Sequence, residues 1–299
     1  MSDTDHAFAV AGHHSPEEIL AHDRFAVARA RYVDAILALY EGDAFLTRVM
    51  GEAARAVIFL VILCLDAGYD PDDRATWLTL KRLKQQMAQY GLSSPRHIES
   101  TVALLVHNGF LESIPSQRDR RLRLLTPTAR MLSHDRDWLA ANYLPLQLMF
   151  PDPGYGAVMQ RDPAFRRALR RIAMGFSGRG AEILGGNPDM MLFLARDAGV
   201  LILFKLAQMA GASDGSAVEL DYKDIGARFC VSRTHVQKIL QDAARAGLVA
   251  VSGRGGHFVA LTPRIWRALD RFAAEGMSGH DMLFNLARRQ VETTSRIAS

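Results

Sequence analysis

The chain has 299 residues, of which 49% are hydrophobic and 23% charged, and its formal net charge is +4. This balance excludes a wholly disordered chain, and the length allows two domains. The most apolar run, residues 56–65, is much shorter than the about 20 residues of a membrane-spanning helix. The N-terminus lacks a basic start followed by an apolar stretch, so we expect a cytoplasmic protein with no membrane partner. The two cysteines, Cys64 and Cys230, form no metal-binding pair.

The first part of the chain predicts two helices rich in apolar residues and then two helices joined by a tight turn. Residues 16–41 and 56–68 have the apolar spacing of helices. Residues 81–90 form the next predicted helix, and a short turn follows. Ser94 predicts the start of another helix over residues 94–108, because a serine hydroxyl can accept a hydrogen bond from a free backbone N–H at a helix start.

Residues 110–125 predict a β-hairpin whose tip carries four arginines. Close positive charges repel one another, and the phosphates of a nucleic acid would supply a counter-charge. Polar residues also face outward from the helix over residues 94–108. The candidate DNA-binding residues of this part are Ser94, Arg96, His97, Ser100, Arg118, Arg120, Arg121 and Arg123.

A break rich in proline and glycine is predicted at Pro145 and residues 150–156. Asp162 and Pro163 then indicate the start of a helix over residues 162–176. This helix carries four arginines at i, i+4 spacing, which either touch DNA phosphates or form a solvated helix face. They are Arg166, Arg167, Arg170 and Arg171.

The second part of the chain repeats the features of the first. Leu-Thr-Pro occurs at residues 125–127 and 261–263, and residues 94–109 align without a gap to residues 232–247. Shared features in one order indicate an internal duplication. The predicted units are residues 15–146 and residues 161–289.

The second unit predicts the same helix, turn, helix and hairpin. Residues 222–229 and 232–246 are the helices, and Gly247 ends the second helix as a left-handed C-cap. The second helix of such a pair enters the major groove of DNA, where Arg and Lys pair with guanine and Gln with adenine. The candidate DNA-binding residues of this part are Ser232, Arg233, Thr234, Gln237, Lys238 and, at the hairpin tip, Arg254.

Residues 119–127, Asp-Arg-Arg-Leu-Arg-Leu-Leu-Thr-Pro, resemble the wing of the MarR family of bacterial regulators. The likeness is good over residues 80–132 and fair over residues 221–269, where the hairpin is shorter and lacks Asp-x-Arg. The resemblance implies a winged helix-turn-helix fold, DNA contacts from the second helix and the wing arginines, and long terminal helices in a dimer interface. MarR-like chains usually carry one unit and act as dimers. We therefore expect a mainly helical fold with small β-hairpin wings, in which one chain forms a pseudo-dimer.

The expected function is that of a transcription regulator which binds double-stranded DNA sequence-specifically at an imperfect palindrome. Two alternatives stay open: a replication-initiator or partition-type protein with tandem winged helices, and a protein-interaction scaffold that does not bind DNA. Neither a catalytic constellation nor a cofactor or metal motif is present, so we expect no enzyme, cofactor or metal.

The resemblance also allows a homodimer and a small-molecule effector. In such a family, an aromatic or amphipathic effector often binds between the long helices and the winged units. Five residues are candidates to line that cavity, with ordinary core packing as the alternative. They are Trp77, Trp138, Tyr143, Met149 and Phe150.

Overall fold

The computed structural model describes residues 12–212, 217–253 and 256–298. As predicted, the fold is mainly helical with small antiparallel sheets. None of the described helices is both long enough and apolar enough to cross a membrane. The first half contains helices α1 (Pro16–Ala21), α2 (Phe25–Tyr40), α3 (Ala44–Met50), α4 (Ala53–Ala67), α5 (Leu80–Met87), α6 (Pro95–His107) and α7 (Ala129–Met149), with strands β1 (Leu111–Pro115) and β2 (Arg123–Pro127) before α7.

The second half begins after a loop that follows α7. It contains helices α8 (Gly156–Met159), α9 (Pro163–Ala173), α10 (Ser177–Gly185), α11 (Pro188–Leu194), α12 (Gly199–Ala212), α13 (Tyr222–Arg228), α14 (Arg233–Arg245) and α15 (Pro263–Ala298), and strands β3 (Val218–Glu219), β4 (Val249–Ser252) and β5 (Phe258–Leu261).

Two predictions in the first half differ most from the structure. The long helix expected over residues 16–41 is two helices, because the chain turns at His22, whose N–H bonds to the Ile19 carbonyl and whose Nδ1 accepts from the Arg24 N–H. Pro145 lies inside α7 and not in the break after it. Proline removes one helical hydrogen bond, but Pro145 is buried and its neighbour Leu146 packs in the core, so packing outweighs that loss.

Each half has a β-hairpin between its last two helices. In the first hairpin (β1, β2 and residues 116–122), Leu111 pairs with Pro127 and Pro115 with Arg123. In the second hairpin (β4, β5 and the residues between), β4 pairs with β5 in antiparallel register, and β3 lies on the other side of β5. Each hairpin therefore stands beside the helix that precedes it and leads into the helix that follows it.

The two halves share two core clusters, each built from residues of both halves, and their helices pack in a reciprocal pattern. Helix α2 packs against α7 of its own half and against α12 of the other half. In the same way, α9 packs against α15 of its own half and against α4 of the other. The apolar helices α4 and α12 lie in the centre, where Ile62 and Leu203 are fully buried. Because core packing crosses between the halves, neither half has a core of its own.

A buried ionic cluster joins α7 to α9. The Asp135 carboxylate is completely buried and accepts from Arg166 (Nη1 to Oδ2, 3.0 Å) and from Arg170 (Nε to Oδ1, 3.1 Å). Both arginines are buried as well. For these two arginines the prediction that they touch DNA or form a solvated face is therefore wrong, because a carboxylate on the facing helix holds them inside. The other two arginines of the predicted set, Arg167 and Arg171, are exposed.

Candidate nucleic-acid interface

Helices α6 and α14 occupy the same place in the two halves, and serines cap both. The Ser94 hydroxyl accepts from the His97 N–H (3.2 Å), and the Ser232 hydroxyl accepts from the His235 N–H (3.1 Å). These caps fix the start of each helix, so the first-turn side chains project from its end. Most of the predicted contact residues on the two helices are exposed, whereas His97 and Gln237 are half-buried. The exposed ones are Ser94, Arg96, Ser100, Ser232, Arg233, Thr234 and Lys238.

The far ends of α6 and α14 are fastened to the chain by matching hydrogen bonds. Gly109 and Gly247 follow the two helices with positive φ values of 71° and 70°, as predicted for Gly247. The Thr128 hydroxyl donates to the Gly109 carbonyl (2.8 Å), and the Thr262 hydroxyl donates to the Gly247 carbonyl (3.1 Å). Thr128 and Thr262 thus hold the two helix ends in the same way. Thr262 belongs to the second Leu-Thr-Pro segment, but Thr128 directly follows the first, so the matching threonines are two residues out of register with that sequence repeat.

A second pair of matching bonds comes from arginine. Arg130 Nη1 donates to the Asn108 carbonyl (3.1 Å), and Arg264 Nη1 donates to the Ala246 carbonyl (3.2 Å). Both carbonyls are at a helix C-terminus, where the helix dipole favours a positive charge. The orientation of α6 and α14 against the helix after the hairpin is therefore set by the same contacts in both halves.

Two of the four arginines of the first hairpin already have partners inside the chain. Arg118 forms an ion pair with Asp72 (2.5 Å), and the Arg123 guanidinium donates to Ser113. The prediction that all four need an external counter-charge is therefore too broad. The other two are exposed and have no ion pair within the described ranges; they are Arg120 and Arg121.

The sequence reasoning missed a cationic groove of about 600 Å³ between the first hairpin and α5. No acidic side chain of the described residues lines it. Arg82 is half-buried there, and its Nη1 is buried without a hydrogen-bond partner in the described residues. Burial lowers the pKa of Arg82, since the charged form loses solvation. The cations that line the groove are Arg74, Lys81, Arg82, Arg121 and Arg123.

The second hairpin differs at the corresponding place. The Tyr222 hydroxyl donates to the Gly256 carbonyl, and the Tyr222 ring stacks on His257. These contacts cover the space between the hairpin and α13. Arg254, the predicted contact at the hairpin tip, lies outside the described residues.

Helix α14 is also tied to the core on its inner side. His235 Nε2 is 2.9 Å from the Asp197 carbonyl oxygen, and Asp242 forms an ion pair with Arg196. Arg233 and Lys238 have no ion pair in the part of the chain that is described. The inner side of α14 is therefore fixed, while these two cations remain available to an anion.

A central cavity of about 360 Å³ lies between the two halves. Its wall is mostly apolar, but Arg170 also lines it. The Tyr40 hydroxyl and His280 Nδ1 are buried there without a hydrogen-bond partner among described residues. Burial, and then the charge of Arg170, lower the pKa of His280 to about 3. His280 is therefore neutral at physiological pH.

Only one of the five residues predicted to line an effector cavity does so. Trp138 lies in the wall of the central cavity. Trp77 instead lines the cationic groove, and Phe150 stacks on His14 with ring centroids 3.6 Å apart. The remaining two pack in the core formed by the terminal helices of both halves; they are Tyr143 and Met149.

Known proteins do not identify the chain. No protein-family model matches it, and no curated protein or solved structure matches it. Within the described ranges, no group of three or more His, Cys, Asp or Glu side chains is placed to hold a metal ion. The function must therefore be inferred from the residues and their geometry.

Proposed function

We propose that the chain is a transcription regulator that binds double-stranded DNA sequence-specifically through two winged helix-turn-helix units of MarR-like type. The observation that carries the proposal is the matched construction of α6 and α14. Each follows a short helix and a turn, begins at a capping serine, presents exposed polar residues and leads into a hairpin. This is the order of elements in winged-helix proteins, whose second helix enters the major groove.

Internal duplication accounts for the reciprocal packing of the halves. In a symmetric dimer, a contact from element i to element j is matched by one from j to i. The contacts of α2 with α12 and of α9 with α4 have this form within one chain. We therefore infer a pseudo-dimer of units 15–146 and 161–289, whose recognition helices are α6 and α14. Its preferred site is an imperfect palindrome with half-sites about 34 Å apart.

The proposed roles follow from exposure and charge. Arg96 at the start of α6, and Arg233 and Lys238 on α14, are exposed cations that can pair with guanine. Arg120 and Arg121 project from the first hairpin, where they can neutralise backbone phosphates. Base contacts set the sequence preference, and phosphate contacts set the salt dependence.

The central cavity is the proposed effector site. It contacts both halves, so a ligand that prefers one arrangement of the halves would shift the spacing of the two recognition helices. An amphipathic molecule fits its wall, which is mostly apolar but includes the buried polar groups of Arg170, Tyr40 and His280. Binding of such a ligand would alter DNA affinity without touching the DNA.

The test is fluorescence anisotropy of the protein with a labelled random-sequence duplex pool at salt concentrations from about 50 to 200 mM. We expect log affinity to fall linearly with log salt, with a slope of about 0.9 for each phosphate neutralised. The double variant Arg120→Gln/Arg121→Gln should have a smaller slope. The control is Arg271→Gln, an exposed arginine of α15 that pairs with Glu275. Absence of salt-dependent binding by the unaltered protein would contradict the proposal.

A further inference from the structure

The cationic groove between the first hairpin and α5 has an excess of positive charge. Five arginine and lysine side chains line it, and no carboxylate does in the part of the chain that the structure describes. Two carboxylates lie nearby: Asp119 pairs with Arg74 (2.7 Å), and Asp73 acts on Arg82 only at longer range. The surplus favours an anionic ligand.

Among the cations that line the groove, Arg82 has the charge that is least compensated. It is half-buried, its Nη1 is shielded from solvent, and it has no ion pair or side-chain hydrogen bond within the described ranges. A partly buried charge without a partner destabilises a protein, and an anion in hydrogen-bond reach removes that penalty.

The N-terminus of α5 also favours an anion in the groove. The Thr79 hydroxyl caps the helix by accepting from the Arg82 N–H (3.2 Å). The first turn contains no acidic residue and instead holds Lys81 and Arg82. Positive side chains at a helix N-terminus oppose the helix dipole, whereas an anion at that end is stabilised by both the dipole and these side chains.

The corresponding place in the second half is built differently among the described residues. Asp221 caps α13 and Asp224 lies in its first turn, beside Lys223. Tyr222 and His257 stack over the corresponding space. Among the described residues, the excess of positive charge found beside α5 therefore has no counterpart beside α13.

We propose that the groove binds backbone phosphates of the DNA next to the half-site held by α6, so that the first unit holds DNA through phosphate contacts that have no counterpart among the described residues beside α13. The inference rests on the proposed function, since it places additional DNA contacts beside the proposed recognition helix. Arg121 belongs to both the groove and the hairpin tip, so the sugar-phosphate backbone of the DNA would pass from the hairpin into the groove.

The experiment uses the same random-sequence duplex pool and compares Lys81→Gln, Arg82→Gln and the matched control Lys223→Gln. Each groove variant should lower the slope of log affinity against log salt by about 0.9. The control variant should have nearly the same slope as the unaltered protein. If the unaltered protein binds in a salt-dependent way and all three variants match it, the groove proposal is overturned and the proposed function stands. If the unaltered protein binds no duplex, both are overturned.

A readout without DNA guards against variants that fail to fold. The melting temperature of the unaltered protein should rise more with inorganic phosphate than with chloride at equal ionic strength. Arg82→Met should melt higher than the unaltered protein in chloride, because it removes an unpartnered charge, and should lose the specific gain from phosphate. An equal phosphate gain in Arg82→Met would count against the groove as the anion site.

Discussion

Replacing Asp135 with Asn should weaken the protein severely, because it removes the only carboxylate that the structure describes in contact with two buried guanidinium groups. Asp135 is completely buried, and the side chains of Arg166 and Arg170 are 7% and 5% exposed. Asparagine has the same shape, so the change leaves no cavity. Its neutral amide cannot compensate two buried positive charges.

The expected loss follows from that burial. Breaking a buried ion pair by removing one partner costs about 3–5 kcal/mol, a large part of the about 5–15 kcal/mol that stabilises a typical domain. The control is Asp137→Asn on the same helix. Asp137 pairs with Arg161 at 2.6 Å, but these side chains are 40% and 53% exposed, so its loss should cost at most about 1 kcal/mol.

Urea unfolding at neutral pH, followed by circular dichroism, measures both variants against the unaltered protein. Because Asp135 lies on α7 and its partners on α9, a large loss would also show that the halves depend on each other. If Asp135→Asn lowers the free energy of unfolding no more than Asp137→Asn does, the buried ionic cluster does not hold the two halves together.

Three further predictions concern the cavity, the helix ends and DNA. Burial, and to a lesser extent the positive charge of Arg170, lowers the pKa of His280 to about 3. Between about pH 6.5 and pH 3 the unfolded chain binds a proton at this residue and the folded chain does not, so the protein loses stability as the pH falls through this range. At about pH 5 this loss is about 2 kcal/mol, and His280→Gln should abolish it in urea unfolding; an equal acid loss in the variant would contradict the assignment. Thr262→Val should cost about 1 kcal/mol in the same assay, since it removes the bond from the hydroxyl to the Gly247 carbonyl. Thr128→Val should cost more, since it removes the matching bond to Gly109 and also the N-cap bond from the Met131 N–H, and a smaller cost than that of Thr262→Val would count against this account. Arg96→Gln and Arg233→Gln should each weaken DNA binding by about 1–3 kcal/mol and relax the sequence preference in a different half-site, as read by repeated selection from a duplex pool; relaxation of the same half-site would refute the assignment of one helix to each.

The sequence was informative wherever structure depends on neighbours in the chain. Ser94 and Ser232 mark helix starts because an N-cap hydroxyl bonds to an N–H three residues ahead. Gly247 marks a helix end because the left-handed backbone that follows a helix favours glycine. The mainly helical fold with small hairpins could therefore be predicted from local patterns alone.

Contacts between distant residues could not be predicted in this way. Asp135 lies among charged neighbours, and no periodicity shows that it alone is completely buried opposite α9. Arg118 finds Asp72 in a loop 46 residues earlier, which leaves fewer free arginines on the first hairpin than its sequence suggests. The cationic groove was missed for the same reason, since it joins the start of α5 to a hairpin about 40 residues later.

The most direct test of the central claim is selection of bound sequences from a random duplex pool by the purified chain. Two recognition helices in one pseudo-dimer predict enrichment of two related but unequal half-sites, with centres about 10 base pairs apart or a multiple of that. Enrichment of a single half-site would contradict the paired arrangement of α6 and α14. Failure to enrich any sequence would contradict sequence-specific DNA binding itself.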